Sequence, residues 1–216
     1  MSLHDIAVSK HPLRTDKEFK HDYFRNVYQK LLGGLKDIDF TLLEVGVYYG
    51  FSMGVWREYF TKATIIGVEI NPYNLYAYRP NHGDGFGPLT MLQRWWGEAS
   101  VNTEAFYNNY KNCTIIYGDA TKEETFKNIV PKLDVVIDDG SHNLDEINKT
   151  FDILYPRLNK GGMYIIEDSF EAIEHFSDMG NTLSPLGLEV IEVYDGRRVT
   201  NNPTTCIIAL RKNSDI

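Results

Sequence analysis

Residues 41–50 read TLLEVGVYYG, and their pattern is the clearest indication of the fold class. Its first half is a short apolar run with one acidic residue, Glu44, as in a strand buried on both faces of a parallel sheet. Its second half carries Gly46 and Gly50, after which apolar residues recur at helical spacing. A buried strand, a glycine turn and a helix in this order predict the start of a strand-helix-strand unit.

Six similar apolar runs follow along the chain, at residues 64–68, 114–117, 133–137, 163–166, 188–193 and 205–210. Helical patterns lie between several of them, which predicts a parallel sheet with helices on both faces. The last two runs are separated only by a turn-like stretch, which predicts an antiparallel pair. We therefore expect a seven-stranded, mostly parallel α/β sheet with its last strand antiparallel.

The helical patterns complete this organisation. A helix is predicted over residues 16–32, where apolar residues recur every four positions and Gly33 and Gly34 follow. A later helix is marked by Ile147, Phe151, Leu154 and Leu158, with Gly161 and Gly162 expected to end it. We expect a single domain over residues 1–216, with a helical N-terminal segment at 1–34. Residues 72–112 are too long for one crossover helix, which predicts an insertion that is either a packed surface segment or a lid.

Composition excludes several classes of protein. The chain has 22 Lys and Arg against 30 Asp and Glu, a net charge of −8 that disfavours binding to nucleic acid. No apolar window approaches the ~20 residues of a membrane span, and the first residues do not resemble a signal peptide, so no membrane partner and a cytoplasmic location are expected. The spacing of Cys113 and Cys206 indicates neither a zinc site nor a redox pair, and we expect two free thiols on buried strands.

Polar residues at strand ends predict a cofactor site, because ligands of open α/β sheets lie beyond the carboxyl ends of the strands. The spacing of Gly46 and Gly50 differs from the pattern that binds a pyrophosphate, which favours a smaller cofactor without phosphates. Glu69 ends the second strand, where it can accept hydrogen bonds from ribose hydroxyls, and Asp119 ends the third, within reach of an adenine amino group. Each acid alone could be a turn former or a helix cap. Their occurrence on successive strands favours the cofactor.

Residues 42–50, 63–69 and 117–120 resemble the first three motifs of class I S-adenosylmethionine-dependent methyltransferases. A narrower resemblance is to the metal-dependent sugar O-methyltransferases of macrolide and related antibiotic pathways. The segments that are similar to this group are Thr15-Asp16-Lys17 with His21 and Tyr23, and residues 55–60, 138–142, 155–158 and 166–169.

The resemblance covers most of residues 15–170. It implies a Rossmann-like fold with strand order 3-2-1-4-5-7-6 and S-adenosylmethionine as cofactor. The cofactor-binding residues that it implies are Glu44, Gly46, Tyr48, Gly50, Ser52, Glu69, Asp119, Ala120 and Asp138. The chain departs from the family by lacking the large N-terminal extension of some macrolide members and in residues 72–112, which match no family segment. The acceptor is therefore left open.

Three carboxylates predict a metal site. Asp139 follows the fourth strand, and Glu167 and Asp168 end the fifth. Adjacent strands are ~4.8 Å apart, so these groups should converge, and oxygen ligands favour Mg²⁺, Mn²⁺ or Ca²⁺ over zinc. His142 would then accept the proton of an acceptor hydroxyl, with Asp139 as its catalytic partner. The alternative is that residues 139, 141, 168 and 169 only cap helices and that His142 is structural.

These observations predict an enzyme, a metal-dependent O-methyltransferase that uses S-adenosylmethionine and Mg²⁺ or Mn²⁺. Its expected partner is a small molecule with a hydroxyl group, and the resemblance implies a sugar or glycoside. A catechol-type O-methyltransferase and a catalytically inactive S-adenosylmethionine-binding module are the alternatives. A homo-oligomer is left open.

Overall fold

A computed structural model describes residues 1–9, 15–48, 50–71, 113–128, 132–179 and 187–213. The insertion predicted at residues 72–112 lies outside them. No helix in these ranges is both long enough and apolar enough to cross a membrane.

The elements follow the predicted alternation. The strands are β1 (Thr41–Val45), β2 (Thr64–Glu69), β3 (Thr114–Tyr117), β4 (Leu133–Asp138), β5 (Leu158–Glu167), β6 (Leu188–Asp195) and β7 (Cys206–Lys212). The α-helices are α1 (Leu3–Ser9), α2 (Asp16–Phe19), α3 (Gln29–Leu32), α4 (Phe51–Tyr59), α5 (Leu144–Leu154), α6 (Phe170–Asp178) and α7 (Arg197–Thr200). A π-helical turn at Phe24–Tyr28 leads into α3, and 3₁₀ turns occur at Gly33–Leu35, Glu123–Phe126 and Tyr155–Arg157.

One seven-stranded sheet has the order β3-β2-β1-β4-β5-β7-β6. Its first five strands are parallel, and β7 runs antiparallel to both of its neighbours. The expected fold class and strand order are therefore confirmed. Because the order reverses between β1 and β4, the carboxyl ends of these two strands flank the crevice in which such sheets bind ligands.

Two apolar layers cover the sheet. On one face, the N-terminal helices and α4 pack around Trp56, whose ring meets those of Phe24 and Tyr28 edge to face. On the other face, α5 and α6 pack against the sheet through Phe151 and Phe176. Helix α1 lies in the N-terminal segment 1–34, where only the helix at 16–32 was given bounds, and it buries Leu3 and other residues at helical spacing in the first layer.

The continuous helix predicted over residues 16–32 is wrong. Helix α2 ends at Phe19, and the chain turns through Asp22, whose φ of 56° is left-handed, before the next helical segment begins. His21 and Tyr23 are fully buried by this turn and contact residues near the start of β7. These tertiary contacts outweigh the helical propensity of the segment. The α-helical part nevertheless ends at Leu32 with Gly33 as its C-cap, as predicted, and a 3₁₀ turn at Gly33–Leu35 follows.

The end of the predicted 147–158 helix also differs. Helix α5 stops at Leu154, and Leu158 begins β5 instead of closing the helix. Pro156 lies between them and has no backbone N–H to continue the helical hydrogen bonds, and a 3₁₀ turn at Tyr155–Arg157 follows the helix. Gly161 and Gly162 consequently lie within β5 rather than at a helix end.

Both cysteines are free. Cys206 is buried at the start of β7, whereas Cys113 is half-buried just before β3. Burial raises the pKa of Cys113 to about 11 and that of Cys206 to about 12, so both thiols are protonated at neutral pH.

We expect the native protein to react slowly with a thiol reagent at pH 7.5, because the thiolate is the nucleophile. After denaturation without reductant, two thiols per chain should react at once. A count of zero in denaturant would contradict the free state, and a fast native reaction would contradict the raised pKa values.

Candidate active site

A cavity of about 770 Å³ opens at the carboxyl ends of the central strands. Helix α2 borders it on one side and the start of α5 on another. The predicted site residues in its lining are Gly46, Tyr48, Ser52, Glu69, Asp119, Ala120, Asp138, Asp139, His142 and Asp168. Glu44, Gly50 and Glu167 do not belong to the lining. Gly50 instead takes a left-handed φ of 78° as the residue preceding α4.

Gly46 allows the loop after β1 to touch the loop after β4. Its φ is +80°, and a Cβ atom there would lie 2.0 Å from the backbone oxygen of Asp139. No other residue type fits such a contact. The glycine therefore leaves bare backbone at the cavity wall, as the sequence predicted for a closely bound cofactor.

Glu69 organises the same wall from β2. Its Oε2 accepts a hydrogen bond from the backbone N–H of Tyr48 at 2.6 Å, and its Oε1 accepts one from Asn71 at 2.9 Å. Tyr48 has a left-handed φ of 50°, so Glu69 helps to hold an uncommon conformation. The carboxylate thus shapes the loop and also faces the cavity.

Asp119 lies at the cavity beyond β3 with Ala120 beside it. Its Oδ1 accepts hydrogen bonds from the backbone N–H and the hydroxyl of Thr121, at 2.9 and 2.7 Å, which lower its pKa. The side chain is therefore a turn former, as the structural alternative held, and it also lines the cavity.

Glu44 is fully buried beside the cavity rather than in its lining. Its Oε2 accepts hydrogen bonds from the Ser52 hydroxyl at 3.0 Å and from the Trp56 indole at 2.8 Å. These bonds tie β1 to α4, so Glu44 positions Ser52.

Asp139, His142 and Asp168 converge at the cavity. Each offers one ligand atom, and all three atoms lie within 4.8 Å of one another. The helix caps belong to other residues: Asn143 accepts from the first turn of α5, and Ser169 accepts from that of α6. Capping therefore does not explain Asp139 or Asp168.

His142 has a defined orientation. Its Nδ1 lies 3.3 Å from the carbonyl oxygen of Glu167, so this nitrogen donates, and in the neutral ring Nε2 is then the acceptor. Nε2 lies 3.9 Å from Oδ1 of Asp139. The side chain is 39% exposed and has a left-handed φ of 60°, as Asp168 does at 57°. Backbone strain of this kind is common at functional sites.

Burial shifts the ionisation of the carboxyl groups at this edge of the sheet. It raises the pKa of Asp138 to about 6, and it does the same for Asp168 although the hydrogen bond from Tyr23 opposes the shift. Burial also raises the pKa of Asp139, and raises that of Glu167 well above the ordinary value. A nearby cation would reverse these shifts, since opposite charge favours the ionised form.

Lys17 places a positive charge beside Asp139 and Glu167 that opposes these shifts without reversing them, and the sequence did not predict this role. Its Nζ lies 2.5 Å from Asp139, 2.7 Å from Glu167 and 3.2 Å from Glu44, and its side chain is 2% exposed. Burial alone would lower the pKa of Lys17, but these carboxylates raise it well above the ordinary value. Lys17 therefore engages two of the three predicted metal ligands, Asp139 and Glu167, and Glu167 also accepts a hydrogen bond from the Tyr28 hydroxyl.

A family model described as a methyltransferase domain matches residues 43–169. The chain belongs to this methyltransferase family. The matched region runs from within β1 to just past the end of β5 and contains every residue that we predicted for the site.

Two similar curated proteins come from Streptomyces. One is the 8-demethyl-8-alpha-L-rhamnosyl tetracenomycin-C 2'-O-methyltransferase of Streptomyces olivaceus, 26% identical over 71% of this chain and 35% of the relative. The other is the L-olivosyl-oleandolide 3-O-methyltransferase of Streptomyces antibioticus, 23% identical over 81% of this chain and 40% of the relative. This methyltransferase chain thus spans well under half the length of these relatives.

The solved structures support the fold. One of them is MycE methyltransferase from the mycinamycin biosynthetic pathway, in complex with Mg and SAH. The match covers 100% of this chain and 55% of the MycE chain, with a TM-score of 0.64 and 19% sequence identity. At 19% identity the match shows a shared fold and does not show a shared chemistry.

Proposed function

We propose that this chain is an S-adenosylmethionine-dependent, divalent-metal-dependent O-methyltransferase that acts on a hydroxyl group of a small molecule. The observation that carries the proposal is the convergence of Asp139, His142 and Asp168 on a cavity whose wall is the glycine loop after β1.

The cavity suits S-adenosylmethionine. Bare backbone at Gly46 would allow close approach of the methionine part, Glu69 would accept hydrogen bonds from the ribose, and Asp119 with Ala120 would lie at the adenine. Tyr48, Ser52 and Asp138 also line the cavity, and Glu44 and Gly50 support it from outside the lining.

The donor set also suits a hard cation. Asp139, Asp168 and the neighbouring Glu167 offer oxygen ligands, which favour Mg²⁺ or Mn²⁺. Bound there, the cation would lower the pKa of an acceptor hydroxyl. His142, whose Nε2 is the acceptor nitrogen, would take the proton, while the cavity would hold the hydroxyl in line with the methyl group.

A sugar or glycoside is the acceptor that the relatives favour. The two Streptomyces proteins are named as enzymes that methylate deoxysugar-bearing compounds, and one MycE structure contains Mg, SAH and Mycinamycin VI. A catechol-type acceptor is the second candidate, because vicinal hydroxyls on a ring would suit the same cluster. A purely S-adenosylmethionine-binding module is disfavoured, since it would need no base beside converging carboxylates.

The test is incubation of the chain with methyl-labelled S-adenosylmethionine, Mg²⁺ and a panel of glycosides and catechols, followed by mass detection. We expect methylated product from a glycoside. Product from catechols alone would favour the second candidate, and tight cofactor binding with no product from either group would favour the binding module.

Glu69→Ala should weaken S-adenosylmethionine binding at least tenfold. The variant loses a carboxylate that would bind the ribose and that also holds the Tyr48 loop. A hydrogen bond to a charged group contributes ~1.5 to 3 kcal/mol, and ~1.4 kcal/mol corresponds to a factor of ten. Titration calorimetry measures the affinity, with Glu171→Ala, a change at an exposed glutamate on α6, as the control. Equal affinity in Glu69→Ala and the wild type would remove Glu69 from the cofactor site.

We also propose that residues 1–216 act as one domain and that the protein is cytoplasmic. Neither a nucleic acid nor a membrane is proposed as a partner. The single domain can be tested by unfolding the isolated chain and following the transition with two probes. One domain should unfold in a single transition that both probes report at the same midpoint.

A further inference from the structure

The N-terminal segment, residues 15–28, supplies a polar partner to each carboxylate of the candidate metal site. This segment lies outside the region that the family model matches. Asp139 and Glu167 each accept a hydrogen bond from Lys17, at 2.5 and 2.7 Å. Asp168 is held by two other side chains of the same segment.

Tyr23 donates a hydrogen bond to one oxygen of Asp168, and His21 contacts the other oxygen without hydrogen-bond geometry. The Tyr23 hydroxyl donates to Oδ1, and Nε2 of His21 lies 3.2 Å from Oδ2. Both side chains are buried, and their rings stack with centroids 4.9 Å apart. Asp168 therefore cannot rotate without losing two partners at once.

The two side chains are themselves fixed by the strand beside β5. The Tyr23 hydroxyl accepts a hydrogen bond from the backbone N–H of Cys206 at 2.8 Å, and Nδ1 of His21 lies 2.8 Å from the Thr205 hydroxyl. These contacts with the backbone of Cys206 and the hydroxyl of Thr205 restrict Tyr23 and His21 to one position. A rigid hydroxyl donor with a fixed polar neighbour is what a ligand carboxylate with a left-handed φ needs to stay aimed at the cavity.

We propose that Tyr23 and His21 are positioning residues that aim Asp168 at a divalent cation. The inference rests on the proposed metal site and extends it to a segment outside the region that the family model matches. Neither side chain lines the cavity, so each acts through Asp168 and not on the substrate.

Titration of Mn²⁺ into the full chain, followed by electron paramagnetic resonance of the free ion, tests the proposal without an acceptor. Tyr23→Phe and His21→Leu should each weaken Mn²⁺ binding 10- to 100-fold, the usual effect of losing a partner of a metal ligand. His21→Gln keeps an amide donor near the Nε2 position and should restore most of the affinity. Tyr59→Phe is the matched control, since Tyr59 is a buried tyrosine whose hydroxyl pairs with Gln29, away from the site.

The outcomes separate the two proposals. If the wild type binds Mn²⁺ and the folded Tyr23→Phe and His21→Leu variants bind it with equal affinity, positioning is overturned while the metal site stands. If the wild type binds no Mn²⁺, the metal site fails and the inference fails with it. If Tyr23→Phe does not fold, the comparison of His21→Leu with His21→Gln decides, and equal affinities of these two variants would overturn the proposal.

Discussion

Asp139→Asn is expected to abolish methyl transfer while S-adenosylmethionine binding is largely retained. The substitution removes a ligand charge but keeps the shape of the side chain and the backbone oxygen that faces Gly46. Lys17 keeps Glu167 and Glu44 as partners, so the fold should persist. Cation stabilisation of developing charge contributes several kcal/mol, and a loss of about 4 kcal/mol lowers the rate by about 10³.

Product formation over time in Mg²⁺ measures this effect. Asp152→Asn is the control, because Asp152 is an exposed aspartate on α5 away from the cavity. A chelator should reduce the wild-type rate to that of Asp139→Asn, and added Mg²⁺ or Mn²⁺ should restore only the wild type. Normal turnover of Asp139→Asn would show that this carboxylate is not needed for the reaction.

His142→Asn should lower the rate by about 10² to 10⁴, the usual contribution of a positioned general base. Asparagine tolerates the left-handed backbone of this position and accepts no proton at neutral pH. The remaining activity should rise with pH, because hydroxide replaces the missing base. Metal and cofactor affinities should change little.

His175→Asn is the matched control, since His175 lies on α6 against Phe176 and does not line the cavity. A His142→Asn variant with the wild-type rate and pH profile would overturn the role of His142. Asp138, whose pKa burial raises to about 6, would then be the next candidate for the base.

The strands were predictable because their signals are local. A strand buried on both faces of a parallel sheet is nearly all apolar, and each predicted run coincides with an observed strand to within a few residues, except the amino-terminal part of β5. The N-terminal helix was not predictable in the same way. Its break depends on contacts of His21 and Tyr23 with residues far along the chain, and helical periodicity does not report such contacts.

The sequence predicted the part of the candidate site that lies at the carboxyl ends of the strands. Asp139 and Asp168 follow adjacent parallel strands, so sheet geometry alone brings them together. The ion pairs of Lys17 were not predicted, because its partners Asp139 and Glu167 lie more than a hundred residues away in the sequence. The one signal was its place in the Thr15-Asp16-Lys17 stretch, which the family resemblance includes.

Calorimetric titration of Mg²⁺ into the chain saturated with S-adenosylmethionine measures binding at the proposed metal site without an acceptor. We predict one Mg²⁺ site per chain in the wild type and none in Asp139→Asn, with the cofactor bound in both. Mg²⁺ binding of equal affinity in the two proteins, or no Mg²⁺ binding to the cofactor-loaded wild type, would contradict this prediction.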